Sequence, residues 1–376
     1  MGIFKNKKIL IISRDKTAFV KNSNLYSRLK RYSSVTDGLY VVVLSKDINI
    51  EGIFDGKLAI YPSRSISKMS YWFSAFYISL FKIERVDLVS SQDPFETGLV
   101  AYFISKFLGT KLELQIHTDF LSSRFSGESI LNKIRFFIAI FLIPKADIVR
   151  VVSDRIRKSL IETKIKFKNI YVMPVQPEIG IGNHDDAEVN NKFSNTCFNI
   201  LLASRLEKEK NVEIVVRALS RVVKSTINIK LFIVGDGSLK KNLVKMVFDL
   251  GLKDVVSFEG WRNDLNSFYK NADLFINVSS YEGFGRTILE SAYYGCPILS
   301  TDVGVVGEIF TNEDIYILQS LDEEVLANKI LDLANNQNDS IKKSENAQKK
   351  VGVFLAQNEA TFLEVLSNAW NIIPYR

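Results

Sequence analysis

The sequence predicts an α/β protein built as two Rossmann-like, doubly wound domains that face a central cleft. Three observations carry this prediction. Short apolar runs of strand length alternate with amphipathic stretches of helical period. The alternation breaks at a turn-rich segment, residues 176–196, and then starts again. The chain has 376 residues, 47% apolar and 24% charged, which is globular in composition and longer than one hydrophobic core usually organises.

In the first domain, residues 1–175, strands are predicted at 8–13, 39–44, 58–61, 88–91, 111–116, 148–152 and 170–173. Helices fall between them at 26–32, 70–81, 96–108, 130–141 and 154–162. The basic residues Lys5, Lys7 and Lys8 lead into Ile9–Ile12, an apolar run too short for a signal-peptide core. Strands alternating with helices give a mostly parallel sheet covered on both faces. Residues 176–196 carry the polar run Asn183-His184-Asp185-Asp186, show no period and read as the domain connection.

The second domain, residues 197–355, repeats the pattern. Its strands are predicted at 198–203, 230–234, 255–259, 274–277, 298–301 and 315–318. Its helices are predicted at 211–224, 239–250, 264–271, 287–294 and 322–333. Residues 335–350, rich in Asn, Gln, Ser and Lys, read as a solvated helix or loop. An apolar-periodic helix at 359–370 lies in a last segment, 356–376, expected to cross back to the first domain. In open parallel sheets ligands sit beyond the strand C-terminal ends, so the site is expected in loops that follow strands, between the domains.

Composition narrows the function. Cys197 and Cys296 give neither a disulfide framework nor metal-ligand spacing, and fit a reducing cytoplasm. No run reaches the roughly 18–20 apolar residues of a membrane span. Two segments come near, 69–81 and 136–143, both flanked by basic residues. They read either as core-facing helices or as a surface that dips into a bilayer interface. Residues 1–175 hold 28 Lys+Arg against 15 Asp+Glu, a net of +13, while residues 176–376 hold 21 against 27, a net of −6. A basic half beside an acidic half suggests an anionic partner, such as a lipid headgroup, a phosphorylated or acidic glycan, or nucleic acid; a plain basic surface is the other reading.

The segment Ser279-Ser280-Tyr281-Glu282-Gly283-Phe284-Gly285-Arg286-Thr287-Ile288-Leu289-Glu290 carries the chemistry. It follows a predicted strand and opens a helix. Its glycines allow a sharp turn close to a ligand, and the helix points amides and a positive dipole end back at the loop, which suits a phosphate. Glu282 and Glu290 could hold hydroxylated groups on either side of that phosphate. After the strand at 198–203 comes Ser204-Arg205-Leu206-Glu207-Lys208-Glu209-Lys210-Asn211. Arg205 and Lys210 either neutralise a diphosphate or make surface pairs with Glu207 and Glu209.

The Glu-x7-Glu pattern within Glu-Gly-Phe-Gly, the Ser-Arg-Leu-x4-Asn-like start of the second domain, Ser204 to Asn211, and Val234-Gly235-Asp236-Gly237 together resemble family 4 of the retaining glycosyltransferases, which have the GT-B fold. The similarity extends over most of residues 198–310. Gln115-Ile116-His117-Thr118-Asp119-Phe120 looks like that family's Ile-His segment at the cleft. The resemblance implies that Arg205 and Lys210 bind the donor diphosphate and stabilise it as it leaves. It implies that Glu282 lies near the transferred sugar, lined by the backbone of Gly283, Phe284 and Gly285 and followed by Arg286 and Thr287. Glu290 would hold the ribose, Gly235 would join the donor site, Trp261 and Arg262 would lie in the base-binding loop, and His117 near the reacting sugar. One departure stands out: Ser13-Arg14-Asp15-Lys16-Thr17-Ala18 has no glycine where the family usually has a glycine-rich loop, which puts acceptor contacts there in doubt.

The resulting expectation is a metal-independent, retaining transfer of a sugar from a UDP- or GDP-sugar to a hydroxyl of a glycan or lipid-linked glycan. No cofactor beyond the nucleotide-sugar co-substrate and no nucleic acid partner is expected. Surface polysaccharide or glycoconjugate synthesis, in the cytoplasm or peripherally at the inner face of an anionic membrane, fits this reading. His184-Asp185-Asp186 lacks a partner histidine and reads as solvated rather than as a metal site. A sugar-nucleotide epimerase or a phosphorylase of the same fold, and a non-catalytic nucleotide-sugar or glycan binder, are the alternatives.

Overall fold

The computed structural model describes residues 7–371 except 48, 66, 68, 69, 178, 180–186, 195, 226 and 263. The run His184-Asp185-Asp186, and Lys5, Lys68 and Met69, lie outside the described residues. The chain divides into two compact units, Met1–Pro174 with Asn358–Arg376, and Val175–Gln357.

In the first unit the strands are β1 (Lys8–Ser13), β2 (Gly38–Val43), β3 (Ile53–Asp55), β4 (Leu58–Pro62), β5 (Leu88–Ser91), β6 (Lys111–Ile116), β7 (Ile148–Val151) and β8 (Ile170–Val172). They are ordered β3-β4-β2-β1-β5-β6-β7-β8, parallel except for β3 against β4. Residues 9–13 of β1 and all of β5 and β7 are buried, as expected of strands covered on both faces. The edge strand β3 was not foreseen, because it is short and its Phe54 is exposed.

One core of this unit joins Ile9, Ile11 and Leu88 of the sheet to Leu29 and Tyr32 of the helix Asn24–Ser33 and to Phe362, Leu366 and Trp370 from the end of the chain. A polar network lies within it. Glu113 is wholly buried and accepts hydrogen bonds from Ser90 Oγ, Tyr171 Oη and, at 3.3 Å, Trp370 Nε1. Burial, then the Glu113 carboxylate, push the Tyr171 phenol well above its usual pKa.

The second unit holds β9 (Phe198–Ala203), β10 (Ile229–Val234), β11 (Val256–Gly260), β12 (Leu274–Asn277), β13 (Ile298–Thr301) and β14 (Tyr316–Leu318). The order β11-β10-β9-β12-β13-β14 with parallel pairing is the doubly wound arrangement. The helix Val212–Val222 buries Val212, Val215, Val216, Leu219 and Val222, a stripe of helical spacing that packs on this sheet.

Residues 335–350 take the helical alternative of the sequence expectation but are not wholly solvated. They and the predicted helix at 359–370 belong largely to one helix, Gln337–Asn371. Its early inward positions are Ser340, Ser344, Ala347 and Val351, all buried at helical spacing. Small and hydroxylated side chains fill that stripe, so the apolar period is invisible in the sequence.

Candidate active site

In the second unit β9 and β12 are neighbours, yet their connections lead to opposite edges of the sheet, β9 toward β10 and β12 toward β13. The loops that follow them therefore diverge at the switch point, where such sheets leave a crevice.

After β9 the chain makes a short turn, Lys208–Lys210, and then Asn211 takes a left-handed conformation, φ 49°. That conformation is tolerated by Asn and is held here by hydrogen bonds across the crevice. Asn211 Nδ2 donates to Val278 O and Ser280 Oγ, both at 2.8 Å, and Ser280 N donates to Glu209 O at 2.7 Å. The loop after β12 is fixed in turn by Thr301 Oγ1, which donates to Ser279 O at 2.7 Å.

This bracing brings Lys210 and Glu282 together. Lys210 Nζ pairs with Glu282 Oε1, and their side chains are only 10% and 18% exposed. Ser279 Oγ lies 2.9 Å from the same carboxylate oxygen. Arg205 is placed differently. Its side chain is 64% exposed and pairs at 2.8 Å with Glu209, itself 10% exposed, which is one of the two pairings in the alternative reading of this loop. Glu207 accepts from Ser238 N and Ser238 Oγ at 2.9 and 2.6 Å, and these bonds hold its carboxyl below the usual pKa.

Glu282 is followed by buried Gly283, Phe284 and Gly285, the last at φ 87° as N-cap of the helix Arg286–Tyr293. No side chain caps that helix, so its N-terminal dipole end is left to the loop. Phe284 is fixed by its backbone: its carbonyl accepts from Val305 N at 2.8 Å. Gly304 passes so close that an added Cβ would lie 2.2 Å from that carbonyl oxygen. Thr287 is partly exposed in the first turn. Glu290, one of the few buried carboxylates, is held by Arg286 Nε at 3.0 Å and by Tyr269 Oη at 3.1 Å.

Gly235 has a packing role. At φ 140° it donates its N–H to Gly260 O at 2.7 Å, and a Cβ there would lie 1.9 Å from Ser204 O. Its lack of a side chain lets the loops after β9 and β10 stack. Trp261 is exposed, and Arg262 is held by Asp264 at 2.6 and 2.8 Å. Among the described residues no group of three or more His, Cys, Asp or Glu is placed to hold a metal ion.

His117 belongs to the first unit, just beyond β6. Gln115 Nε2 donates to Ser90 Oγ at 2.9 Å, which turns Gln115 Oε1 toward the imidazole. His117 Nε2, 3.0 Å from that oxygen, must then be the protonated nitrogen, leaving Nδ1 as an acceptor. His117 is exposed as a residue, and desolvation by the surrounding protein, then the Arg150 and Arg28 guanidiniums, lower its pKa from the usual imidazole value. The glycine-free loop after β1 forms a short turn, Lys16–Phe19, capped by Asp15 Oδ1 on Thr17 N at 2.9 Å. Sequence reasoning assigned no role to Asn211, Ser279 or Thr301; Asn211 entered as the last residue of the Ser-Arg-Leu-x4-Asn motif.

Residues 185–350 match the family model of glycosyl transferases group 1. The chain is 29% identical over 202 residues to an N-acetylgalactosamine-N,N'-diacetylbacillosaminyl-diphospho-undecaprenol 4-alpha-N-acetylgalactosaminyltransferase of Campylobacter jejuni, covering 52% of each chain. It is 26% identical over 236 residues to an alpha-monoglucosyldiacylglycerol synthase of Streptococcus pneumoniae, covering 59% of this chain and 53% of that one. It thus spans about half the length of these curated relatives. Its fold is similar to that of HepE of Anabaena, solved with UDP and glucose, at a TM-score of 0.76 and 19% identity, covering 96% of this chain and 100% of that one. Sucrose-phosphate synthase of Thermosynechococcus elongatus is similar at a TM-score of 0.77 and 15% identity, with 96% and 100% covered. The fold is GT-B.

Proposed function

We propose, from the match of residues 185–350 to the group 1 glycosyl transferases, that the chain moves a sugar from a UDP- or GDP-sugar to a hydroxyl of a glycan or lipid-linked glycan, with retention of anomeric configuration. The observation that supports this best is the Lys210–Glu282 pair at the β9/β12 switch point, beside the uncapped start of the helix Arg286–Tyr293. A cation there stabilises the departing diphosphate, and the helix end adds a positive field. Glu282 would accept a hydroxyl of the transferred sugar, and Glu290 the ribose. Arg205, being exposed, would swing from Glu209 onto the diphosphate. His117, which the resemblance puts near the reacting sugar, would offer Nδ1 as an acceptor. The diphosphate would need neither metal nor cofactor.

UDP-sugars are the first donors to test, since HepE is solved with UDP and glucose. The undecaprenol-linked substrate in the name of the Campylobacter relative favours a lipid-linked acceptor at the inner face of an anionic membrane. The deciding experiment incubates the protein with labelled UDP- and GDP-sugars and lipid-linked or free glycan acceptors. Label in a product that keeps the donor's anomeric configuration supports the proposal. Interconversion of the sugar nucleotide would show an epimerase, and binding without turnover a non-catalytic protein.

A further inference from the structure

Three helices of the first unit lie side by side, Tyr71–Phe81, Glu96–Leu108 and Ile130–Leu142. Their rings meet across the gaps, Trp72 with Phe103 at 5.6 Å and Tyr102 with Phe141 at 6.2 Å. The last two helices also cross closely, since a Cβ on Gly98 would sit 3.1 Å from Leu142 Cδ1. Their inward faces are satisfied by Ala75, Val100, Ile104 and Ala139. Their outward faces are also apolar. Phe73 and Phe81, Phe103 and Phe107, and Ile130 and Phe137 are all exposed, at spacings that keep each pair on one side of its helix. A continuous exposed apolar surface of this kind marks an interaction site.

Charge says what covers it. The three helices contain one acidic residue, Glu96, and Arg135 Nη2 holds its carboxylate at 2.7 Å. Cations stand around and within the apolar surface. Lys82, Lys106 and Lys133 are exposed, and Lys145 Nζ lies 3.8 Å from the centre of the Phe141 ring. Lysines that frame exposed aromatic rings fit the boundary between headgroups and acyl chains. We infer that this three-helix face docks on an anionic lipid bilayer, with the rings entering the interface and the lysines meeting the headgroups. Arg135, which directly precedes the apolar segment 136–143, serves the fold through Glu96 instead. The inference deepens the membrane part of the proposed function by identifying the surface, and its test is independent of catalysis.

The full chain is sedimented with vesicles of phosphatidylcholine alone or with one third phosphatidylglycerol, at low and high salt. Binding is expected only with phosphatidylglycerol and should fall as salt rises. Lys106→Glu with Lys133→Glu should weaken it about tenfold or more. Phe73→Ser with Phe107→Ser and Phe137→Ser should abolish it while leaving the melting temperature unchanged. No binding to phosphatidylglycerol vesicles would overturn the inference, as would unchanged binding of the Phe→Ser variant. Self-association in solution that the same variant abolishes would overturn it in favour of a second copy. UDP binding, followed by thermal shift on the same samples, separates this outcome from failure of the proposed activity.

Discussion

Lys210→Met keeps most of the side-chain stem and removes the charge, so it isolates what the ammonium does. Breaking an exposed ion pair costs about 0–1 kcal/mol, and breaking a fully buried one about 3–5 kcal/mol. Side chains that are 10% and 18% exposed put the Lys210–Glu282 pair between these limits, at about 2 kcal/mol. For a unit of this size that is a fall of about 4–8 °C in Tm. The catalytic loss should be larger, about 100–1000-fold in kcat, if the ammonium also stabilises the leaving diphosphate. The assay is a double-mutant cycle of Lys210→Met and Glu282→Gln, read by thermal melting and by turnover of a UDP-sugar. The double variant should be more stable than the summed single losses predict, by about 1–2 kcal/mol. Strict additivity of the two stability losses would refute the pairing. Turnover of Lys210→Met close to that of the parent chain would refute the assignment of the donor site.

Three further outcomes follow from the same geometry. Gly235→Ala must place a Cβ 1.9 Å from Ser204 O at φ 140°, so strain and overpacking should lower stability by about 2–5 kcal/mol; an unchanged Tm would contradict the loop stacking. Activity should survive excess EDTA, and complete loss restored by Mg²⁺ or Mn²⁺ would show a metal site that was misread. Asp314 is buried, which raises its pKa, but Lys350 at 2.6 Å and the Thr311 hydrogen bonds outweigh burial and lower it. Its folded value being depressed, its contribution to stability is present above the unfolded carboxylate value of about 3.9 and fades below it. The gap in urea midpoint between the parent chain and Asp314→Asn should thus hold from pH 7 to 5 and narrow as the pH falls further.

Much of the fold was legible because its strands are continuous apolar runs between turn residues. The predicted bounds at 111–116, 198–203, 274–277 and 298–301 coincide with β6, β9, β12 and β13. The strand β3 was not legible, since three residues on a sheet edge, none of them buried and Phe54 exposed, are too few to show a period. In the site, the spacing of Glu282 and Glu290 was visible, but their surroundings were not. Lys210 and Glu282 are 72 positions apart, and they meet only because β9 lies beside β12. No local pattern encodes strand order. Arg205 and Lys210 look equivalent in the sequence, yet the turn Lys208–Lys210 directs one inward and leaves the other exposed with Glu209. The helix Glu96–Leu108 was expected, but its exposed Phe103 and Phe107 were not singled out. A helix apolar all round reads as buried until its neighbours are known.

Trp370 and Phe362 complete a core whose other members begin at Ile9. A ribosome therefore delivers the two sides of that core at opposite ends of its work. After Pro174 emerges, all of Val175–Gln357 must be made before Asn358 appears, an interval of about 10–40 s at usual elongation rates. During it Tyr32 and Glu113 wait without their tryptophan partner, while the second unit has time to fold first. The nascent first unit should consequently be the stage at which this protein needs a holding chaperone. Release of a chain stalled before residue 362 should yield a folded second unit attached to an incompletely packed first one.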